Sequence, residues 1–387
     1  MRSKLPQGWK EVELGSIVLK FLPKTGKKAG EGLDKGKYKF FTSSTEQTKF
    51  IDSFDFDGEY LIFSTGGKAA VHYCNGKFST SNDCFVVQIK KGISTKYIFY
   101  CLKSRIYILE AGFKGAGLKH LSRNYLESIK IPLPFTSDGK PDLKKQKQIV
   151  KILEKVEKLK QKREEAIKLA DEYLKSVFYE MFMKKKEEFE EVKLGNRELF
   201  EIKGGKRLPL GDKFSETPTN RPYLRVTDMR NKTIVEGNIK YISEETFQKI
   251  KNYTISSEDV YITIAGTIGL AGTIPKKYNG ASLTENAAKI VIKNKKRVDK
   301  IFLTWAISSL YVQNQIKQRI GIVGVPKLAL FRIETLRIPL PPIKLQKKFA
   351  SIVEKVEKFK EKQKKSKEEI ERLFNALMSK AFNGELV

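Results

Sequence analysis

The sequence predicts an α+β chain: two pseudo-twofold-related mixed α/β domains separated by two long helices that pair as an antiparallel coiled coil. Three observations predict it. The string Ile131-Pro132-Leu133-Pro134 returns as Ile338-Pro339-Leu340-Pro341. Each copy leads into a long charged segment of helical periodicity. The stretch before each copy is rich in short β-patterned runs separated by Gly and Asn.

The helical segments carry the repeat most clearly. Ile152 to Lys162 aligns with Ile352 to Lys362 at an offset of 200, with eight of eleven positions identical. The proline motifs are offset by 207, because the first copy carries an extra polar loop at Thr136 to Asp142. Ile149, Ile152, Val156, Leu159, Ala166, Ala170, Tyr173 and Val177 fall at alternating three- and four-residue spacing, an a/d seam interrupted by Arg163. Phe349, Ile352, Val356, Phe359, Ile370, Leu373 and Leu377 repeat it, with Gln363 and Ser366 at the polar step. A matched polar step fixes register, so the two helices are expected to pack on each other; the alternative is that each packs on its own domain. Ile167, Leu174, Phe178 and Phe374, just off the seams, suit either partner docking or a wider helix-pair core.

Upstream, Glu11-Val12-x-Leu14-Gly15 matches Glu191-Val192-x-Leu194-Gly195, and Asn75-Gly76 with Thr80 and Asn82 matches Asn279-Gly280 with Thr284 and Asn286. The runs Tyr60 to Phe63, Cys84 to Ile89, Asp259 to Ile264 and Lys289 to Ile292 read as strands of a twisted, mainly antiparallel sheet. The boundaries are therefore 1–143 and 189–343 for the globular domains, with 144–188 and 344–387 for the helices.

The chain has 75 Lys+Arg against 45 Asp+Glu, a formal net charge of +30 over 387 residues. Heat adaptation adds charges of both signs, whereas this excess is lopsided and points to a polyanion such as nucleic acid. Hydrophobic residues at 40% are enough to build cores. The N-terminus, Met1 to Pro6, lacks a signal-peptide apolar stretch, and no run is long enough to span a bilayer, so a cytoplasmic location and no membrane contact are expected. Cys74, Cys84 and Cys101 are odd in number and lack metal spacing, which suits reduced packing residues.

Catalytic motifs are not recognisable. Phe113 to Gly117 resembles a methyl-donor-binding glycine turn but lacks a preceding strand and an acidic ribose partner. Asn220-Arg221-Pro222-Tyr223 has Arg221 where an amino-methyltransferase element needs proline. Gly204 to Arg207 has the wrong spacing for a phosphate loop, nuclease-like strings such as Glu201 to Lys203 arise by chance in a chain this rich in Lys and Glu, and His72 and His120 form no triad or metal set. No cofactor, metal or catalytic residue is expected.

At these residues the chain resembles the specificity (S) subunits of type I restriction-modification enzymes. The resemblance rests on the order of domain and helix taken twice, on Ile-Pro-Leu-Pro followed by Gln146, Gln148 and Gln346, and on Tyr223 to Met229 with its weaker counterpart Tyr38 to Ser43. Pro341-Pro342-Ile343-Lys344-Leu345-Gln346 stands where the family usually has Pro-Pro-Leu-x-Glu-Gln. The resemblance implies a non-catalytic subunit of a multisubunit methyltransferase/endonuclease. Two target-recognition domains would read the halves of a gapped site on double-stranded DNA. The helices would act as a ruler and dock two modification (M) subunits, with restriction (R) subunits joining them.

Base reading needs Arg or Lys, Asn or Gln, hydroxyls or carboxylates on loops. The candidates are Thr42, Ser43, Ser44, Lys68 and His72 in the first reader, and Lys206, Arg207, Arg225, Thr227, Asp228 and Arg230 in the second. Asn82 and Asn286 suit turns equally well. Two other readings compete: a divergent DNA methyltransferase, and a non-specific nucleic-acid-binding coiled-coil protein.

Overall fold

The computed structural model describes residues 5–115, 117, 119–321 and 326–386. The chain forms two compact units that do not follow chain order, Met1–Glu165 with Gln363–Val387, and Ala166–Lys362. The first long helix, Leu143–Phe178, and the second, Ile343–Phe382, each contribute one part to each unit. No helix among the described residues is long and apolar enough to cross a membrane.

The repeated motifs meet as paired strands. In the first unit Trp9–Glu13 runs antiparallel to Lys130–Pro134 with Val12 opposite Ile131. In the second, Glu190–Lys193 pairs with Arg337–Leu340, with Val192 opposite Ile338. Both are two-stranded ladders, where a proline's missing N–H costs little. The glycine after each motif is required by packing: a Cβ on Gly15 would lie 2.9 Å from Glu127 Cβ, and one on Gly195 2.9 Å from the Glu334 carbonyl oxygen.

The first unit holds one six-stranded sheet, in the order Val18–Phe21, Cys84–Ile89, Phe56–Ser64, Val71–Thr80, Tyr38–Phe41, Lys49–Ile51. Only the pairing of Tyr38–Phe41 with Val71–Thr80 is parallel. The sequence leads one to expect a single sheet in the second unit too, but there are two of four strands. One contains Phe200–Gly204, Ala287–Ile292, Val260–Thr263 and Ala271–Thr273; the other contains Lys240–Tyr241, Pro222–Leu224, Ala281–Leu283 and Thr254–Ile255. The cause is local. The long hairpin of the first unit bends without breaking, with Gly58 (φ 138°) opposite Gly76 (φ 112°). In the second unit Pro275 and the tight turn Lys276–Tyr278 interrupt the matching strand, since proline cannot donate to a ladder.

One glutamine fastens each long helix to its domain. Gln146 and Gln346 are fully buried. Gln146 Oε1 accepts from the Ser94 N–H (2.9 Å) and Gln346 Oε1 from the Asp299 N–H (2.8 Å). Ser94 and Asp299 are the N-caps of Thr95–Ser104 and Lys300–Ser308. Gln346 Nε2 also donates to the carbonyls of Pro341 (2.7 Å) and Arg297 (2.8 Å). Gln146 Nε2 has no partner among the described residues. In the first copy the extra loop brings Asp142 round to donate its N–H to the Pro134 carbonyl (2.8 Å), the counterpart of Pro341.

In each unit the two helices also meet, antiparallel. Lys160 pairs with Glu371 and Glu164 with Lys367 in the first unit, so four residues up one helix are four down the other. Arg163 Nε donates to Ser366 Oγ (3.2 Å), which joins the two polar interruptions of the seams. In the second unit Lys360 bonds Asp171 (2.6 Å) in the same numerical register. The helices pack on the domains as well, so the two packing modes weighed from the sequence coexist. Leu174, Phe178 and Phe374 are buried in the domain cores, which leaves none of them free for a partner.

Replacing Gln346 by Leu strands the Asp299 N–H and two carbonyls and is expected to cost about 2–4 kcal/mol. Gln146→Leu, which also removes an unpaired buried donor, is expected to cost about 1 kcal/mol or less. Urea unfolding of the two variants measures the difference.

Candidate nucleic-acid interface

In the first unit Thr42, Ser43 and Ser44 follow directly on the strand Tyr38–Phe41. His72 Nε2 donates to the Ser44 carbonyl oxygen (2.9 Å), and its ring lies against Phe41. Burial lowers the His72 pKa, with the nearby Lys103 charge adding to the effect, while the bond to Ser44 opposes it. Lys68 is exposed on the turn after Phe56–Ser64. Ser64 Oγ shapes that turn by donating to the Lys68 carbonyl (2.7 Å) and accepting from the Ala70 N–H (2.8 Å). Gly67, at φ 72°, faces the Ser43 carbonyl. The five sequence candidates thus come from three neighbouring segments.

A further segment joins them that the sequence did not single out for binding. The hairpin Phe113–Lys114 with His120–Leu121 is fixed to the Lys68 turn: Leu121 N–H donates to the Thr65 carbonyl (3.0 Å) and Gly66 bridges His120. Lys114, Lys119 and His120 are exposed there. Phe113 to Gly117 is the string that resembles a glycine-rich cofactor turn; Ala116 within it lies outside the described residues.

The second unit builds the same turn from different residues. Thr263 Oγ1 donates to the Thr267 carbonyl and accepts from the Leu270 N–H (2.9 Å), and Gly266 takes φ 75°. Leu328 N–H donates to the Ile264 carbonyl (2.9 Å), and Ala265 bridges Lys327. Thr267 and Lys327 therefore stand where Lys68 and His120 stand in the first unit, a match that sequence inspection missed; the signal lay in aligning Ser64 to Ala70 with Thr263 to Leu270.

Arg225 follows the strand Pro222–Leu224, as Thr42 follows Tyr38–Phe41. Its guanidinium grips Asp228 through Nη2 to Oδ1 (2.8 Å) and Nε to Oδ2 (3.1 Å), and reaches the Asn238 carbonyl (2.6 Å). Asp228 is only 4% exposed and its carboxylate also accepts the Arg225 N–H, so it props the loop from within. Thr227 and Arg230 are exposed. Arg230 leads into a two-residue turn, Asn231 (φ 53°) and Lys232 (φ 60°), that holds two non-glycine residues in the left-handed region. The Lys232 ammonium sits 4.2 Å over the Trp305 ring, and burial lowers its pKa.

Lys206 and Arg207 are exposed on the other side of Leu283–Glu285. Lys206 N–H donates to the Leu283 carbonyl (2.8 Å), while Thr284 N–H donates to the Leu224 carbonyl (3.0 Å). Gly205 permits that approach, because a Cβ there would fall 2.0 Å from the Thr284 carbonyl oxygen. Asn82 Oδ1 accepts from the Gly26 N–H (2.7 Å), a tie to a segment distant in the chain and not to its own turn.

On the helices, Ile149, Val156 and Phe349 are buried, Ile152, Ile352 and Val356 half-buried, and Leu159 and Phe359 exposed at 40% and 44%. No group of three or more potential metal ligands occurs among the described residues, and the three cysteines are free and buried.

Loops of one design on two diverged domains, each tied to a pair of long helices, make a class of their own. The family model of the type I restriction modification DNA specificity domain matches residues 6–169 and 186–372, once per repeat, and the chain belongs to that family. With both repeats present it is a type I restriction-modification specificity subunit. It is 24% identical to the type I restriction enzyme MjaVIII specificity subunit of Methanocaldococcus jannaschii, over 99% of this chain and 94% of the relative. Its fold is similar to that of the type I restriction-modification S subunit from M. genitalium, with a TM-score of 0.60 at 17% identity over 99% of this chain and 97% of that one. A chain from a study of type I restriction-modification complex assembly matches with a TM-score of 0.58 at 16% identity, over 99% and 100%.

Lys68 is expected to meet a phosphate. Lys68→Ala should weaken binding similarly across sequences and reduce the slope of log K against log salt by about 1. Fluorescence anisotropy across a salt series checks this.

Proposed function

We propose that the chain gives a type I restriction-modification complex its DNA sequence preference, each reader taking one half of a bipartite gapped site. The observation that carries this is the matched loop cluster. The two domains hold their turns by equivalent main-chain bonds and yet present different side chains at the station beside them: His120 in one, Lys327 in the other. A fixed backbone with varied side chains suits two readers of unlike sequence. A protein that used charge alone would have no use for the difference.

In this reading Thr42, Ser43, Ser44, Lys68 and His72 serve the first half-site. Lys206, Arg207, Thr227 and Arg230 serve the second, with Arg225 and Asp228 shaping their loop. Chemistry is left to partner subunits. Two M subunits are supported by the helix surface. The first unit exposes Leu159 and Leu373, the second Tyr173 and Phe359, and the repeat relates Leu159 to Phe359 and Tyr173 to Leu373. Two equivalent uncovered patches suit two copies of one partner. R subunits would join that assembly, in the cytoplasm.

Co-expression with the neighbouring modification subunit, followed by genome-wide mapping of methylated positions, tests the reading. A bipartite motif is expected, and exchange of residues 189–343 for those of a relative should change one half and keep the other. Scattered methylation without a motif would overturn it.

A further inference from the structure

We propose that His120 and Lys327 are specificity-determining residues that read opposite kinds of base edge, one in each half-site. The proposal rests on the reading of the two domains as base readers. His120 is exposed, and its Nδ1 lies 3.2 Å from the Thr65 carbonyl oxygen. A carbonyl can only accept, so Nδ1 carries the hydrogen and donates it. With one ring hydrogen placed on Nδ1, Nε2 is left to accept. The main chain fixes the backbone from which the ring projects: Gly66 bridges His120, and Leu121 N–H bonds the same Thr65 carbonyl at 3.0 Å.

Lys327 occupies the same station in the second reader. Ala265 bridges it as Gly66 bridges His120, and Leu328 N–H bonds the Ile264 carbonyl as Leu121 bonds that of Thr65. Lys327 is exposed, and an ammonium offers donors only. One backbone position therefore presents an acceptor in the first reader and a donor in the second.

In the major groove an acceptor meets its complement at an exocyclic amine, adenine N6 or cytosine N4, and is opposed by guanine O6 and N7. A lysine has the reverse preference, for guanine O6 and N7 or thymine O4. His120 accordingly selects an amino-bearing base in the half-site of residues 1–143, and Lys327 a base rich in acceptors in the half-site of residues 189–343.

The test is methylation mapping of the co-expressed complex with His120→Lys, His120→Gln and Lys327→His. His120→Lys should switch one position of the first half-site from adenine or cytosine to guanine or thymine, by roughly tenfold or more in preference, with the second half-site unchanged. Lys327→His should make the reverse switch in the second half-site only. His120→Gln, which retains an acceptor, should keep the original base. Where methylation is too weak to map, anisotropy of the purified complex on duplexes that differ at that base pair gives the same readout. If wild type yields a bipartite motif and all three variants yield that same motif at a lower level, the two side chains support loops or contact phosphates, and the proposal is overturned. A wild type with no bipartite motif would instead overturn the reading of the domains, and the proposal with it.

Discussion

The rest of the molecule depends on an aromatic seat, built once in each unit, that receives the C-terminal end of a long helix. In the first unit Phe382 packs edge-on to Tyr97 and Phe374 to Tyr100. In the second, Phe182 packs edge-on to Phe302, and Phe178 lies against Trp305 and Phe349. Tyr97 and Tyr100 stand at the same positions of Thr95–Ser104 as Phe302 and Trp305 do of Lys300–Ser308. Phe382 and Phe182 are almost wholly buried, and such pairs add about 0.5–1.5 kcal/mol each beyond their buried area. Exposed ion pairs such as Glu164–Lys367 contribute little beside this, so they mark the helix register without being the source of the pairing.

The seat has a topological consequence. Each unit takes the C-terminal end of one helix into its core and fastens the N-terminal end of the other through a buried glutamine. Neither core is complete with the residues that precede its own helix. Parts of both helices therefore belong to the core of each unit. At the matched turns the two readers keep the same main-chain bonds and differ in their side chains.

Much of this was legible in the sequence. The Ile-Pro-Leu-Pro strings and the Glu-Val-x-Leu-Gly strings are partner strands in both copies, and Arg163 does meet Ser366 at the polar step. Which helix residues are buried was harder to read, because heptad spacing describes two helices alone. Near each end the domain covers a third side, so that Leu153, Leu174 and Phe374 are buried, whereas Leu159 and Phe359 remain exposed. The split sheet of the second unit follows from Pro275, a single residue whose effect depends on its strand partners. Asp228 has the chemistry of a base-reading residue, but its ion pair with Arg225 is a fact of three dimensions. The hairpin bearing His120 was hidden because its glycines suggested a cofactor loop.

Native-state hydrogen exchange on the whole chain tests the central claim most directly. If the C-terminal part of the second helix belongs to the core of the first unit, amides around 374–382 exchange only as slowly as those of the buried strand Phe56–Ser64, and both respond together to denaturant. Rapid exchange across 374–382 while that strand stays protected would contradict the account.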